Sequence, residues 1–339
     1  MLNRKLCVAI NGFGRIGRSV FKALLEDSQV EVVAINDLTD NKTLAHLLQY
    51  DSCYGKYEKT VSFDEEHLIV DGQEFLALAE KDPAILPWGK LGVDIVIEST
   101  GRFTKAEDAM AHIKAGAKKV IISAPAKDEA TKNIVLSVNE KDLLASDQVI
   151  SMASCTTNCL APITKVMTEK LGVEKAVMST IHAYTADQNL VDGPHKDLRR
   201  ARSAAMSIVP TTTGAAVAVA KTVPEMSGRF DGSAFRVPTP VVSLCDVVMV
   251  TKRQTSIEEV NQLLSEAAGQ DKFGALTVTS EPLVSIDFTG NPASSIVDLG
   301  LTKVVGGDLV KIVAWYDNEW GYSHRLANLC SYIADNDLL

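Results

Sequence analysis

Residues 6–18 read Leu6-Cys7-Val8-Ala9-Ile10-Asn11-Gly12-Phe13-Gly14-Arg15-Ile16-Gly17-Arg18. A short apolar run stops at Asn11, and Gly12, Gly14 and Gly17 follow in G-x-G-x-x-G order. Helical periodicity then takes over at Ile16, Val20, Ala23 and Leu24. A second strand-like run, Val30-Glu31-Val32-Val33-Ala34-Ile35, ends at Asn36-Asp37. Each part has a physical job in a dinucleotide site. The glycines let the turn close and the backbone approach a pyrophosphate; the helix N-terminus stabilises its charge; an acid ending the second strand accepts ribose hydroxyl hydrogen bonds. The carboxylate of Asp37 repels a 2′-phosphate, so NAD is expected over NADP. A glycine triplet without this context would be only a tight turn.

Outward from this unit, more parallel-sheet strands are legible. Val93–Glu98 ends at Ser99-Thr100-Gly101, and Lys119–Ile122 ends at Ser123-Ala124-Pro125. Ligands sit beyond the carboxyl ends of such strands, so Thr100 and Ser123 are expected to line the cofactor. After residue 155 the pattern changes to alternating runs at 234–237, 243–250, 295–299 and 309–315, with few helices between them. One helix is expected from Ser256, as N-cap, to Ala268, and the stretch from about Ser323 to Ala334 is helix-like. The predicted fold class is α/β. A Rossmann domain covers residues 1–154 and an α+β catalytic domain with a mixed or antiparallel sheet covers residues 155–322; residues 323–339 form a C-terminal helix.

At 339 residues the chain is long for one core, which also favours two domains. Its net charge of −9 argues against nucleic acid or an anionic membrane as main partner. No apolar run approaches the ~18 residues of a membrane span, and no signal-peptide pattern precedes the first strand. Six cysteines are scattered without framework spacing, so a reducing, cytoplasmic setting is expected. No metal site is expected: Cys155 and Cys159 stand in C-x3-C spacing with no second cysteine pair following.

The chemistry is read at residues 149–160. The run Val149-Ile150-Ser151-Met152-Ala153 ends at Ser154-Cys155-Thr156-Thr157-Asn158-Cys159, and helical spacing follows. A cysteine at a strand-to-helix corner meets unpaired backbone N–H groups and the positive end of a helix dipole; both favour the nucleophilic thiolate. Pro162 leaves open that the helix begins later. A second strand-like run, Val177–Ile181, ends at His182-Ala183-Tyr184-Thr185. A right-handed strand-helix-strand crossover would bring Cys155 and His182 to one sheet edge, with His182 as general base. Hydroxyls, a glycine backbone and guanidiniums at Thr185, Thr211–Gly214, Arg200 and Arg236 suit phosphate oxygens beyond those of the dinucleotide.

Taken together, Asn11–Arg18, Ser154–Cys159, His182–Thr185, Pro194–Arg202, Pro210–Ala215, Arg236–Pro240 and Trp315–Ser323 resemble the phosphorylating glyceraldehyde-3-phosphate dehydrogenases. The resemblance covers essentially the whole chain. It implies a homotetramer whose final helix packs back on the first domain. Cys155 is then the nucleophile and His182 the base. Gly12, Gly14, Arg15, Ile16, Gly17, Asp37, Thr100 and Ser123 contact NAD, and Asn318 holds the nicotinamide amide. Ser154, Thr156, Thr185, Asp187, Arg200, Thr213, Gly214 and Arg236 form two sites, for glyceraldehyde 3-phosphate and inorganic phosphate. Gly193 stands where many NAD-preferring bacterial members carry Leu, although other NAD-using members have Gly there.

The implied reaction runs through a Cys155 hemithioacetal and a thioester that phosphate cleaves to 1,3-bisphosphoglycerate. Rival readings are an erythrose-4-phosphate dehydrogenase of the same architecture, a semialdehyde dehydrogenase (against which Asp37 speaks), and a non-enzymatic module with Cys155 as redox sensor.

Overall fold

The computed structural model describes residues 4–339, which divide into two compact units. The first comprises residues up to Ile134, Lys141–Ala153 and Ser323–Leu339; the second comprises Val135–Glu140 and Ser154–Tyr322.

Strands buried on both faces read as nearly unbroken apolar runs, and a sheet built from them is parallel. The first unit has this character. Its strands are β1 (Leu6–Asn11), β2 (Val30–Asn36), β3 (Val61–Phe63), β4 (His67–Val70), β5 (Gln73–Leu78), β6 (Ile95–Glu98), β7 (Lys119–Ile122), β8 (Lys132–Asn133) and β9 (Val149–Ser151). They lie in the order β8-β9-β7-β6-β1-β2-β5-β4-β3. Every pairing from β8 to β5 is parallel; only the β5-β4-β3 edge is antiparallel. The helices are α1 (Arg15–Leu24), α2 (Asn41–Gln49) and α3 (Ala106–Lys114). Beside α3 packs a one-turn helix, Trp88–Leu91, and a buried apolar cluster of Ala9, Ala34, Trp88, Val96, Ala109, Val120 and Ile122 holds these elements against the sheet. Register puts Asn11 opposite both Asn36 and Glu98, so three polar residues form a row across the carboxyl ends of the central strands.

In the second unit, burial alternates along the strands, as on a sheet with two different faces. Its strands are β10 (Val173–Ala183), β11 (Val209–Thr211), β12 (Phe230–Val237), β13 (Ser243–Thr251), β14 (Leu276–Thr279), β15 (Ser295–Asp298), β16 (Lys303–Val305) and β17 (Leu309–Tyr316). The order is β11-β12-β10-β13-β17-β15-β14, with β16 paired to β17. Strands β10 and β12 run parallel, while β10-β13-β17-β15 are antiparallel neighbours, so the sheet is mixed. Helices α4 (Cys155–Leu171), α5 (Ala215–Thr222) and α6 (Ile257–Gln270) accompany it. Ser256 caps α6, accepting from the Glu259 amide. A final helix, α7 (Trp320–Asp335), buries Leu326, Leu329, Cys330 and Ile333 completely, and Ser331 Oγ donates to Asp27 within the first unit.

One expectation fails. The strand before Cys155 and the strand carrying His182 are not joined by a crossover in one sheet: β9 belongs to the first sheet and β10 to the second. The segment α4 followed directly by β10 is an antiparallel helix-strand pair. The carboxyl end of the strand therefore returns to the amino end of the helix.

Candidate active site

Helix α4 begins at Cys155, and Pro162 lies inside it. Ser154 sets the start: it is extended (φ −111°, ψ 164°) and its Oγ accepts from the Thr157 amide at 3.1 Å. Cys155 is therefore the first helical residue, at the positive end of the dipole. Its Sγ lies 3.5 Å from His182 Nε2. On its other side the imidazole meets a carbonyl: Nδ1 stands 2.7 Å from Ala183 O. A carbonyl only accepts, so Nδ1 carries the proton and the Nε2 lone pair faces the thiol. The Tyr316 ring stands edge-on to His182, with centroids 6.0 Å apart.

Burial opposes the thiolate that a strand-to-helix corner favours. Part of the Cys155 surface still meets solvent, yet the packing around the sulfur pushes its thiol up to about 11, against the opposing pull of Arg236. Desolvation, then Arg236, pushes His182 down to about 3. Both shifts run toward the uncharged forms of two groups that already touch.

Register places Arg236 of β12 beside His182 of β10. Arg236 Nη1 donates to Ala183 O and Thr185 Oγ1, each at 3.1 Å, while its buried Nε has no partner. Among the described residues no carboxylate pairs with Arg236. Burial and then the nearby Arg200 charge lower its pKa, and the neighbouring thiol and Tyr316 oppose them. Two neighbouring guanidiniums in a half-buried space are an arrangement that an anion would relieve.

Other expected phosphate residues are placed differently. Arg200 Nε donates to Thr211 Oγ1 at 2.9 Å, and its Nη1 meets the Asp187 carboxylate. Asp187, an anion itself, thus orients Arg200. The Thr156 hydroxyl turns into the core onto Tyr316 OH at 2.9 Å. Thr213 Oγ1 accepts from the Ala215 amide, and Gly214 caps α5 without a side chain. Gly193 is held by Asn189, whose Nδ2 donates to its carbonyl at 2.7 Å. Buried Asn318 accepts from Ser243 Oγ at 3.0 Å, and Ser243 Oγ also accepts the Ala183 amide. Ser243 and Tyr316 escaped the sequence reading. Both sit in alternating strands, where an inward polar residue is the visible signal.

In the first unit a cavity of about 970 Å³ is lined by Asn11, Gly12, Gly14, Asn36, Asp37 and Thr100, among others. Gly12 has φ +93°, and a Cβ there would meet the Thr100 amide nitrogen at 2.7 Å. A Cβ at Gly14 would enter open space, and Gly14 caps α1 with no side chain. Asp37 Oδ2 accepts from the Phe13 amide at 2.7 Å, fixing the glycine turn, and Oδ1 accepts from Thr39. An open backbone cradle at an uncapped helix start, with a carboxylate at its edge, fits a dinucleotide. Gly17 packs against the Gly12 backbone, Arg15 pairs with Asp51 at 2.7 Å, and Ile16 is half-buried. Ser123 is half-buried, and its amide donates to Glu98 O at 2.9 Å; it is not among the cavity-lining residues.

Comparison with known proteins matches both units. The family model for the glyceraldehyde 3-phosphate dehydrogenase NAD binding domain matches residues 6–106, and that for the C-terminal domain matches residues 154–318. Glyceraldehyde-3-phosphate dehydrogenase of Geobacillus stearothermophilus is 55% identical over 332 residues, covering 98% of this chain and 99% of that protein. Glyceraldehyde-3-phosphate dehydrogenase 1 of Bacillus subtilis is also 55% identical over 332 residues, with the same coverage of each chain. The Streptomyces coelicolor enzyme of that name is 54% identical, over 97% of this chain and 98% of its own length. With similarity of this extent running through both the glycine turn and the Cys155 corner, the chain belongs to the glyceraldehyde-3-phosphate dehydrogenase family.

Proposed function

We propose that Cys155 and His182 are the nucleophile and base of an NAD-dependent, phosphorylating oxidation of glyceraldehyde 3-phosphate, the glycolytic reaction of this family. The carrying observation is the Sγ–Nε2 contact of 3.5 Å together with the Nδ1 bond to Ala183 O, which leaves Nε2 as the proton acceptor. As sulfur bonds to the aldehyde carbon, the thiol proton passes to Nε2 and then to the former carbonyl oxygen, giving a hemithioacetal. Nε2 next removes the hydroxyl proton. The hydride that leaves the carbon needs an acceptor, and this is the chemistry that bound NAD would supply. The product on Cys155 is a thioester; inorganic phosphate attacks its carbonyl, the sulfur leaves, and an acyl phosphate departs. The contact suits this sequence, because one imidazole nitrogen can take and return the proton as the bonds change.

Gly12, Gly14, Arg15, Ile16, Gly17, Asp37, Thr100 and Ser123 would hold NAD, with Asn318 orienting the nicotinamide amide. Arg236 and Thr185, with Arg200 oriented by Asp187, would bind one phosphate group. Ser154, Thr156, Thr213 and Gly214 would border the other. A domain boundary at residues 154/155 follows the same division of labour.

A homotetramer is part of this reading. Leu190, Val191, Leu198, Met206 and Ile208 are each more than half exposed within one stretch lacking helix, and such grouping suits burial against further copies. Among the described residues no helix is long and apolar enough to cross a membrane, and all six cysteines are free thiols; a cytoplasmic location fits the thiols. The test is NADH formation from glyceraldehyde 3-phosphate with and without phosphate, with light scattering for the assembly. Absence of phosphate-dependent NADH formation would overturn the assignment.

A further inference from the structure

The row of polar residues at the strand ends is wired to a buried histidine. Glu98 is 2% exposed, His112 and Trp88 are fully buried, and Asn11 and Asn36 are nearly so. Trp88 Nε1 donates to His112 Nδ1 at 2.9 Å. Indole nitrogen only donates, so Nδ1 is bare and Nε2 carries the proton. Nε2 faces Glu98 Oε2 at 3.1 Å. The same oxygen accepts from Asn11 Nδ2 at 2.6 Å. Glu98 Oε1 accepts the Thr100 amide at 2.9 Å and the Thr100 hydroxyl. Four polar groups converge on one carboxyl group, and three of them, His112 Nε2, Asn11 Nδ2 and the Thr100 amide, can only donate to it. From Asn11 the chain continues: its Oδ1 accepts Asn36 Nδ2 at 2.7 Å, and Asn36 Oδ1 accepts the Glu80 amide at 2.7 Å.

Asn11, Asn36, Glu80 and Thr100 all line the large cavity of the first unit, whereas Glu98, His112 and Trp88 do not. The geometry points to Glu98 as a positioning residue of the dinucleotide site, with His112 locking its orientation from behind. It fixes Thr100 by backbone and side chain and fixes Asn11 by its amide. A Cβ on Gly12 would strike the Thr100 backbone, so the place of Thr100 also sets the room in the glycine turn. A buried carboxylate is costly unless every lone pair is used. Here every donor belongs to the cavity wall or to the residue behind it. This inference rests on reading that cavity as the NAD site.

The test is calorimetric titration of the full chain with NAD. In Glu98→Gln the new amide nitrogen must face either Asn11 Nδ2 and His112 Nε2 or the Thr100 backbone amide, donors in both cases, so NAD affinity should fall about tenfold. A paired substitution separates positioning from mere filling. His112→Gln keeps a donor for Glu98 and an acceptor for Trp88 Nε1, and should bind NAD within about twofold of wild type; His112→Leu keeps apolar volume and loses both, and should fall about tenfold. If Glu98→Gln does not fold, the His112 pair decides alone. NAD affinity equal in His112→Gln and His112→Leu, whether both intact or both weakened, overturns the positioning role. Asp37→Ala is the control: if it binds NAD as wild type does, the cavity reading itself falls and this inference with it. If Asp37→Ala is weakened while Glu98→Gln and His112→Leu are not, only the positioning role falls.

Discussion

Cys155 Sγ lies 3.5 Å from His182 Nε2 although the strand that leads into Cys155 and the strand that carries His182 belong to different sheets. The contact is made by α4 and β10 running antiparallel, so it depends on where α4 begins. Cys155→Ser should therefore abolish turnover, because a hydroxyl is a far weaker nucleophile, and should leave NAD binding in place. Cys159, one turn on and fully buried, has Ser295 Oγ and Ala314 O at 3.9 Å from its sulfur. Cys159→Ser should keep most activity and lose at most about 1–2 kcal/mol of stability. Equal loss of turnover in the two variants would sink the assignment.

His182 and Arg236 both act on the thiol. His182→Gln removes the Nε2 acceptor and should move the iodoacetamide rate-versus-pH curve of Cys155 to higher pH. Removing the Arg236 charge in Arg236→Met should do the same, because that charge lowers the thiol pKa. Arg236→Met should also relieve His182, whose pKa the same charge depresses. An unchanged alkylation curve in both variants would remove these residues from the activating role.

Arg236 should also discriminate between aldehydes. A guanidinium fork meets phosphate oxygens two at a time, whereas Lys offers a point charge. Arg236→Lys should lose kcat/KM for glyceraldehyde 3-phosphate by about tenfold or more, with little effect on unphosphorylated glyceraldehyde. Parallel losses on both aldehydes, with a lowered Tm, would make Arg236 a structural residue of β12.

Asp37 serves the turn as well as the cofactor, since it accepts the Phe13 amide. Asp37→Ala should weaken NAD and narrow the NAD/NADP gap by about 1–3 kcal/mol, the scale of a charge-assisted hydrogen bond. Comparable kcat/KM for the two cofactors in the wild type would show that selection lies elsewhere.

Acid should destabilise the fold in two stages. Burial pushes His182 down to about 3, with Arg236 adding to it. The unfolded chain therefore takes up a proton below about pH 6.5 that the native state refuses, and stability falls from there toward pH 3. Burial raises the Asp94 carboxyl, but Arg4 at 2.6 Å, Lys118 at 2.9 Å and the Cys7 amide outweigh it and hold it below the usual range. Its contribution is complete above about pH 4 and is lost as pH falls through the folded value. In Tm-versus-pH curves, His182→Gln should flatten the upper part of the decline and Asp94→Asn the lower. Curves that run parallel to wild type would refute both.

Much of this was legible in residues 6–37, where glycines, periodicity and a strand-end acid all point one way. The alternation at 243–250 and the Ser256 cap likewise foretold β13 and α6. The route from Cys155 to His182 was not legible, because apolar periodicity marks a strand without saying which sheet it joins. Asp187 and Thr156 entered the phosphate sites through the family resemblance alone, and no local pattern shows the Asp187 carboxylate on Arg200 or the Thr156 hydroxyl beside Tyr316. Glu98 ends an apolar run, and nothing local tells a buried, fully bonded carboxylate from a solvated one.

The first unit is discontinuous: it includes Ser323–Leu339, although most of it lies before residue 154. During synthesis the glycine turn and its sheet emerge first, yet the unit that contains them lacks its final helical segment until residues 323–339 have been made. Until then Asp27 lacks the Ser331 hydroxyl, and the surface that α7 covers lies bare. A chain that lacks residues 323–339 is therefore expected to carry an unfinished first unit, so these seventeen residues decide when the first part of the protein is complete.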